Sequence, residues 1–259
     1  MKRKLLIAAA VLAVGFLVAT PAFGITFGEP DGDNHPNVGA MIVELNGVKR
    51  LYCSGTLISP TVFLTAAHCT VAAFARGADP HDTYVTFDPV WDATSTLYRG
   101  TYQLNPNYGH DMHDLHDVAV IILDEPITDI TPATLPGAGM LDDMKKAHEL
   151  KDQQFVAVGY GRLRDDKTGG PHAIGDAGER YYAEQTFLAL KPYWLQLSMN
   201  PSTGSGGTCY GDSGGPHFLG DMVVSITVTG DAWCRATDVT YRMDTESARS
   251  YLSQFVTLP

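Results

Sequence analysis

Residues 209–216 read CYGDSGGP, a serine enclosed by glycines and an aspartate and followed by a proline. The glycines let the backbone turn sharply and present N–H groups around Ser213. Two further motifs precede this stretch: LTAAHC at residues 64–69, which follows CSGTLI at residues 53–58, and HDVAVIIL at residues 116–123. The three motifs therefore carry His68, Asp117 and Ser213, in that order along the chain.

A histidine, an aspartate and a serine can together activate a nucleophile. A serine hydroxyl is a poor nucleophile until a base removes its proton, and a neutral imidazole performs that task. A buried carboxylate holds the imidazole in the correct tautomer, and His, Asp, Ser is one of the three chain orders known for such a triad. Each motif alone also has a structural interpretation, as a core histidine, a turn aspartate or a glycine loop. Their combination favours catalysis.

Two other classes of protein compete with this interpretation. Residues 211–215 satisfy the pattern Gly-x-Ser-x-Gly of an α/β-hydrolase, but that class needs the order Ser, Asp, His. The chain has the reverse order and no predicted parallel βα units. A binding protein that keeps the fold without activity usually has a substituted Ser or His, whereas all three positions are intact here.

The composition indicates a folded globular protein and limits its partners. Hydrophobic residues make up 44% of the 259 residues and charged residues 18%, which is ordinary for a packed domain. The formal net charge is −11 at pH 7. Nucleic-acid affinity depends mainly on cationic contacts to phosphates, so this charge argues against a nucleic-acid partner.

The pattern of hydrophobic residues predicts an all-β protein. Short apolar or alternating runs are separated by Gly, Pro, Asn and Asp, as in sandwiches and barrels. Strands are predicted at residues 38–45, 51–58, 62–66, 84–87, 96–104, 118–123, 155–158, 187–190, 195–199 and 222–228. Thr245 is positioned to cap a C-terminal helix whose apolar positions are Ala248, Tyr251, Leu252, Phe255 and Val256. A weaker helix is predicted at residues 141–150 and a long surface loop at residues 162–180.

The N-terminus predicts export. Lys2, Arg3 and Lys4 precede an apolar run at residues 5–19, and small residues follow at Ala22 and Gly24. The run is short for a bilayer-spanning helix of about 20 residues but fits the core of a signal peptide. We therefore expect residues 1–24 to be a signal peptide and residues 25–259 to be a secreted domain with no membrane association. An uncleaved N-terminal anchor is the alternative.

The four cysteines then predict two disulfides. An even number of cysteines in an oxidising compartment is typical of a disulfide framework. Four cysteines allow three pairings, and their spacing alone does not choose among them. A zinc site is disfavoured because the chain has no Cys-x-x-Cys pair.

With TAAHC at residues 65–69 and GDSGGP at residues 211–216, the sequence resembles the trypsin/chymotrypsin-like serine peptidases, and in particular their shorter secreted bacterial members. The likeness extends from about Ile25 to the C-terminal helix. It implies two six-stranded antiparallel β-barrels (chymotrypsin-like) with a C-terminal α-helix. It also implies a monomeric serine endopeptidase that hydrolyses protein or peptide substrates through an acyl-enzyme intermediate, without a cofactor.

The resemblance also implies a role for individual residues. His68 would be the general base and acid, Asp117 its orienting partner and Ser213 the nucleophile. The backbone N–H groups of Gly211 and Ser213 would form the oxyanion hole. The implied disulfides are Cys53–Cys69 and Cys209–Cys234.

Activation in this family requires a new N-terminal Ile or Val whose ammonium pairs with the aspartate before the nucleophile. Here the matching residues are Ile25 and Asp212. Our hypothesis is that signal peptidase cleaves after Gly24, so that export itself creates the activating terminus. Cleavage after Ala22 would instead leave two residues attached and require a second cut.

The specificity pocket is predicted to be apolar. In the family its base lies six residues before the nucleophile, which is Gly207 here, beside Thr208. An acid that would hold Arg or Lys is missing there, and Thr227, two residues after Ser225, would narrow the entrance. We therefore expect small or medium apolar side chains before the scissile bond. Basic specificity is the alternative, since Asp238 could approach the pocket by another route.

Metal binding is weighed at two acidic clusters. Glu29, Asp31 and Asp33 form one, and Asp79 and Asp82 form the other; calcium prefers such oxygen ligands. Neither cluster has an EF-hand pattern. Structural calcium therefore remains an alternative that rests on the oxygen ligands alone, and no catalytic metal is expected.

Overall fold

The computed structural model describes residues 25–164 and 178–259. The predicted signal peptide and residues 165–177 of the predicted surface loop lie outside these residues. The strands are β1 (Glu29–Pro30), β2 (Val38–Leu45), β3 (Val48–Ser59), β4 (Val62–Thr65), β5 (Thr83–Thr86), β6 (Tyr98–Gln103), β7 (Ala119–Leu123), β8 (Gln154–Gly159), β9 (Tyr181–Leu190), β10 (Trp194–Ser198), β11 (Pro216–Leu219), β12 (Met222–Gly230) and β13 (Thr237–Arg242). The helices are α1 (Ala67–Ala75), α2 (Met140–Lys146) and α3 (Glu246–Leu252), with 3-10 turns at Leu150–Asp152 and Pro201–Thr203.

The first half of the chain closes into a six-stranded antiparallel barrel. Its strand order is β2-β3-β4-β7-β6-β5, and β5 pairs with β2 to close it. β4 (VFLT) and β7 (AVIIL) are rich in the β-branched and aromatic residues that suit a pleated, buried surface. Their register pairs Val62 with Ile122 and Thr65 with Ala119. This pairing brings the end of β4 next to the start of β7, where two of the predicted site residues lie.

The second half forms another six-stranded barrel. The order is β9-β10-β13-β12-β11-β8, closed by antiparallel pairing of β8 with β9, and β1 adds to β9 from outside. The prediction of two six-stranded antiparallel barrels with a C-terminal helix is confirmed.

A continuous hydrophobic core joins the two barrels. The main cluster contains Phe63 and Ile121 of the first barrel together with Phe218 and Ile226 of the second. A smaller cluster, which includes Leu195 and Leu197 of β10, fills the far side of the second barrel. The two barrels therefore share one packed core.

The observed elements differ from the predicted ones mainly in extent. Every predicted strand overlaps an observed one, although β9 begins at Tyr181 rather than at residue 187. The predicted weak helix is split into α2 and the 3-10 turn that follows. Thr245 caps α3 as predicted, by accepting a hydrogen bond from Ala248 N (3.3 Å). α3 ends at Leu252, so Phe255 and Val256 lie beyond it. In the described part of the chain, no helix is long and apolar enough to span a membrane.

Candidate active site

His68 and Asp117 meet at the junction of α1 with β4 and β7. His68 lies in the first turn of α1, and Asp117 is buried two residues before β7. Asp117 Oδ2 is 2.8 Å from His68 Nδ1, and Asp117 Oδ1 accepts a hydrogen bond from His68 N at 2.8 Å. Because the carboxylate binds both the ring and the backbone of His68, it fixes the orientation of the imidazole and directs Nε2 away from Asp117.

Asn105 holds the loop that carries Asp117. Its Nδ2 donates to His116 O and to Val118 O, both at 3.0 Å, so it binds the carbonyls on either side of Asp117. His116 has a φ of 51°, a left-handed conformation that a non-glycine residue adopts at a cost in energy. The clamp by Asn105 therefore offsets local strain next to the candidate triad.

Ser213 enters the cleft on the loop that precedes β11, from the second barrel. Its side chain is partly exposed, and Ser213 O accepts a hydrogen bond from Ser54 N (2.9 Å) in the first barrel. Ser54 Oγ in turn donates to Gly211 O (3.0 Å). Among the described residues no hydrogen bond joins Ser213 Oγ to His68, and such contacts are often long without a substrate. His68 and Asp117 thus belong to the first barrel and Ser213 to the second, and the hydrogen bond from Ser54 N to Ser213 O joins the two barrels at the serine.

The two amides predicted for the oxyanion hole are available. Gly211 has a φ of 103°, which turns the backbone before Ser213. In the described part of the chain neither Gly211 N nor Ser213 N donates a hydrogen bond. Free N–H groups at a sharp turn can bind the oxygen of a tetrahedral intermediate.

Two disulfides brace the segments that carry His68 and Ser213. Cys53 is bonded to Cys69, directly after His68, and Cys209 is bonded to Cys234. These are the pairs implied by the family resemblance. The first links β3 to α1, and the second links the loop that carries Ser213 to the segment between β12 and β13.

A cavity of about 230 Å³ opens beside Ser213 and has an acid in its lining. Thr208 and Thr227, two residues expected at the specificity pocket, line this cavity, and so does Asp238 of β13. Among the described residues, Gly207 and Ser225 are buried and do not line it. Ser225 Oγ accepts a hydrogen bond from Thr240 Oγ1 (2.8 Å).

Position 207 has no room for a side chain. A Cβ at this position would lie 2.5 Å from Gln185 Nε2 and 2.7 Å from Asp238 Oδ2. The carboxylate of Asp238 accepts from Thr208 N (3.0 Å) and also from Thr208 Oγ1 and Gln185 Nε2. Burial raises the pKa of the Asp238 carboxyl against these donors, which lower it. The acid missing at position 207 is thus supplied from β13.

The N-terminal segment docks against the back of this pocket. Thr26 and Gly207 exchange two backbone hydrogen bonds (2.8 and 2.9 Å). Ile25 is fully buried in a cluster with Ala157 of β8. Asp212 is also fully buried, and its carboxylate accepts from Gly161 N (2.7 Å) and Cys209 N (2.8 Å).

The burial of Asp212 has an electrostatic consequence. Loss of hydration raises the pKa of its carboxyl to about 7, although the two backbone donors act in the opposite direction. Among the described residues, no cation contacts it. A positive charge in this position would therefore be strongly favoured.

The acidic clusters considered for calcium have other partners. Asp31 is buried and paired with Arg180 (2.8 Å), and Asp82 is paired with Arg99 (2.8 Å). Across residues 25–164 and 178–259, only Cys53, His68 and Cys69 bring three potential metal-ligating atoms together. That group contains a disulfide, whose sulfurs are already bonded to each other.

Sequence reasoning missed several residues that support the site. Ser54 connects the barrels at Ser213, and Asn105 holds Asp117. Gln185 and His217 lie behind the pocket. Ser54 is part of the quoted motif CSGTLI, but the others stand in stretches with no local pattern, so only their distant partners reveal them.

The architecture and the cleft define a class of hydrolase: two antiparallel barrels with a His–Asp pair from one half and a serine loop from the other. Residues 30–249 match the sequence profile of the family described as Trypsin. The chain is 28% identical over 195 residues to a protein named Trypsin from Saccharopolyspora erythraea, covering 71% of this chain and 78% of that one. It is 29% identical over 213 residues to Brachyurin from Leptuca pugilator (74% and 85% covered). It is 23% identical over 216 residues to human Kallikrein-5 (79% and 67%).

The chain belongs to the trypsin family and is a serine-type endopeptidase. Its substrates are proteins or peptides, and the chemistry of this family needs no cofactor.

Proposed function

We propose that His68, Asp117 and Ser213 form the catalytic triad of this peptidase. Ser213 Oγ attacks the carbonyl carbon of the scissile bond while His68 Nε2 accepts its proton. The amides of Gly211 and Ser213 bind the oxyanion, and His68 then gives the proton to the leaving amine. Water attacks the acyl-enzyme in the same way and restores Ser213. The observation that carries this proposal is the pair of 2.8 Å hydrogen bonds from His68 to Asp117.

A fluorophosphonate probe tests this proposal because it reacts only with an activated serine. We expect one adduct on the mature chain, none on Ser213→Ala, and normal labelling of Ser202→Ala, an exposed serine close by. Asp117→Asn should lower kcat about 10⁴-fold by leaving the imidazole in the wrong tautomer. A correctly processed, folded chain that never labels would indicate the inactive binding protein instead.

The mature form is proposed to begin at Ile25 and to be secreted after loss of the signal peptide, residues 1–24. The proposal is supported by the burial of Ile25 beside β8 and by the two disulfides, which suit an oxidising compartment. A free ammonium on Ile25 would then pair with Asp212. Intact-mass measurement of the secreted protein tests this, since an active chain that begins at Phe23 would refute it.

Residues 25–259 are proposed to act as a single monomeric peptidase domain without membrane association. Each barrel contributes part of the cleft, so one copy holds every residue of the proposed mechanism. Sedimentation equilibrium of the mature protein should give one species of about the chain mass. Activity that depends on protein concentration through a dimer would contradict this.

The pocket is proposed to accept a Lys or Arg side chain before the scissile bond. Support comes from Asp238, a buried carboxylate whose described partners, Thr208 and Gln185, are uncharged. A bound ammonium or guanidinium would compensate the buried negative charge. The apolar preference expected from Gly207 and Thr227 is the competing hypothesis.

Peptide substrates that differ only in that side chain separate the two hypotheses. We expect kcat/KM to be higher for Lys and Arg than for Ala, Leu and Phe, and Asp238→Asn to remove the difference. A wild-type preference for Ala or Leu would restore the apolar interpretation.

A further inference from the structure

A hydrogen-bond network of buried polar side chains connects two sides of the specificity pocket from behind. Thr227 Oγ1 lies 3.0 Å from His217 Nε2, and His217 Nδ1 lies 2.7 Å from Gln185 Oε1. Gln185 Nε2 then donates to Asp238 Oδ2. His217 and Gln185 are both fully buried, on β11 and β9. The network therefore connects one pocket-lining residue, Thr227, through the core to another, Asp238.

The chemistry of these groups determines which partner donates in each hydrogen bond of this network. A carboxylate only accepts, so Gln185 directs its NH₂ to Asp238 and its carbonyl to His217. The carbonyl requires a proton on His217 Nδ1. Burial lowers the pKa of His217 to about 3, so the ring is neutral and Nε2 carries no proton. Nε2 must then accept, and the hydroxyl of Thr227 is the donor.

We propose that Gln185 and His217 are positioning residues for the specificity pocket, which orient Thr227 and Asp238 so that the pocket presents hydrogen-bond acceptors to a cationic side chain. This inference rests on the proposed preference for Lys or Arg. The hydroxyl proton of Thr227 is committed to His217, so only its lone pairs are left for a ligand. The hydroxyl of Thr208 is committed to Asp238 in the same way.

Hydrogen-bond acceptors on Thr208, Thr227 and Asp238 let the pocket discriminate by hydrogen-bond type as well as by charge. An ammonium or amidinium satisfies these acceptors with its several donors. An apolar side chain leaves them buried and unpaired, which is unfavourable. Through this network, Gln185 and His217 influence specificity although they do not touch the substrate.

The first test measures binding of benzamidine, a small amidinium, to the mature Ser213→Ala protein. Gln185→Met removes the donor to Asp238 and the acceptor for His217, and we expect the Kd to rise about 10- to 100-fold. Thr227→Val, which keeps the shape of the side chain, should raise the Kd about tenfold, whereas Thr227→Ser should bind normally. Gln154→Met, at an exposed glutamine of β8, is the matched control and should bind like the parent.

The second test reads the tautomer of His217 directly. In ¹⁵N-histidine-labelled protein, we expect the His217 ring to be neutral, with its proton on Nδ1, and the signal is assigned by its loss in His217→Gln. A proton on Nε2 instead would reverse the hydrogen bond with Thr227 and leave its hydroxyl proton free for a ligand.

The results separate this inference from the proposed function. Unchanged benzamidine binding in both Gln185→Met and Thr227→Val, or a proton on His217 Nε2, would overturn the inference. Absence of benzamidine binding by the parent would overturn it too. If Gln185→Met fails to fold, Thr227→Val alone decides. Failure of the fluorophosphonate probe would reject the triad without affecting these binding and NMR measurements.

Discussion

Gly214, directly after the candidate nucleophile, occupies a position that has no room for a side chain. Its φ is +78°, and a Cβ would lie 2.2 Å from Thr65 Oγ1 and 2.7 Å from Ala66 N. Gly220 has a similar φ of +64° but open space around it. Substitution at the two glycines therefore distinguishes the cost of a left-handed backbone from the cost of a steric clash.

We predict that Gly214→Ala is far more destabilising than Gly220→Ala. The control substitution should lower the free energy of unfolding by about 1–2 kcal/mol, the cost of a left-handed conformation. Gly214→Ala adds a clash with the first barrel and should lower it by at least about 3 kcal/mol, with loss of probe labelling. Denaturant unfolding measures both variants. Equal effects would mean that the loop relaxes away from Thr65.

Asn105 is predicted to support catalysis without touching the substrate. Asn105→Ala leaves the carbonyls of His116 and Val118 unpaired and should cost about 2–4 kcal/mol of stability. Displacement of Asp117 by about 1 Å should reduce kcat up to about 100-fold. Asn107→Ala, an exposed neighbour, is the control. Unfolding and steady-state assays with one ester substrate test both effects, and a variant with unchanged kcat would remove Asn105 from the mechanism.

The sequence is most informative where function and local pattern coincide. The motifs around Asp117 and Ser213 could be recognised because each contains its own strand or turn signal, and the motif around His68 because of its residue types. Asp238 is the contrasting case. Its local sequence, ATDVTY, gives no reason to separate it from any other strand aspartate, and its role follows from the register of β13 against β12. Asn105 likewise gains its significance from carbonyls 11 and 13 residues away.

At the scale of elements, alternation predicted the strands whose interior is apolar. β11 and β13 escaped prediction because most of their buried side chains apart from Phe218 and Tyr241 are polar: His217 in the first, and Asp238, Thr240 and Arg242 in the second. These side chains are satisfied mainly by partners distant in the sequence, on other strands, on α2 and in loops, which no local pattern shows. α1 escaped because its helix begins without a capping side chain and follows directly on a strand.

The start of β9 is held by an arginine that joins three parts of the fold. Arg180 is fully buried, pairs with Asp31 (2.8 Å), and donates to Val38 O (2.9 Å) and Phe87 O (2.8 Å) of the first half. It therefore attaches the N-terminal segment and both barrels to one guanidinium.

We predict that Arg180→Met lowers the free energy of unfolding by about 3–5 kcal/mol, because it removes the guanidinium from the buried Asp31 and, among the described residues, leaves that charge paired with His35 alone (2.5 Å). Lys49→Met breaks the more exposed pair with Glu44 (2.9 Å) and should cost less than about 1 kcal/mol. Urea unfolding of the two variants gives the comparison. A loss below about 1 kcal/mol in Arg180→Met would mean that His35 or water compensates the charge of Asp31.

At the scale of the whole molecule, contacts connect the segment that begins at Ile25, the pocket and the loop that carries Ser213. Thr26 pairs with Gly207, Gly207 packs against Asp238, and Asp212 lies beside Ser213. An ammonium on Ile25 would enter a region that already contains two buried acids. The stability of the molecule should therefore depend on whether that ammonium is free.

We predict that a chain with residues still attached before Ile25 loses stability as the pH rises from about 4 to 7. The carboxyl of Asp212 has a folded pKa of about 7, above its ordinary value of 3.8. A raised carboxyl pKa stabilises the fold below the unfolded pKa, and that contribution disappears as the pH passes the folded pKa. The difference amounts to about 4 kcal/mol at pH 8. Asp212→Asn should remove this dependence in the precursor.

The mature chain should behave differently because its ammonium would pair with the ionised carboxylate and lower the pKa of Asp212. Its stability should then be retained up to pH 7, and Asp212→Asn should destabilise it where it stabilises the precursor. Unfolding midpoints of precursor, mature protein and both Asn variants between pH 4 and 8 test this reversal of sign. If Asp212→Asn has the same effect in both forms, the Ile25 ammonium does not reach Asp212, and activation proceeds by another contact.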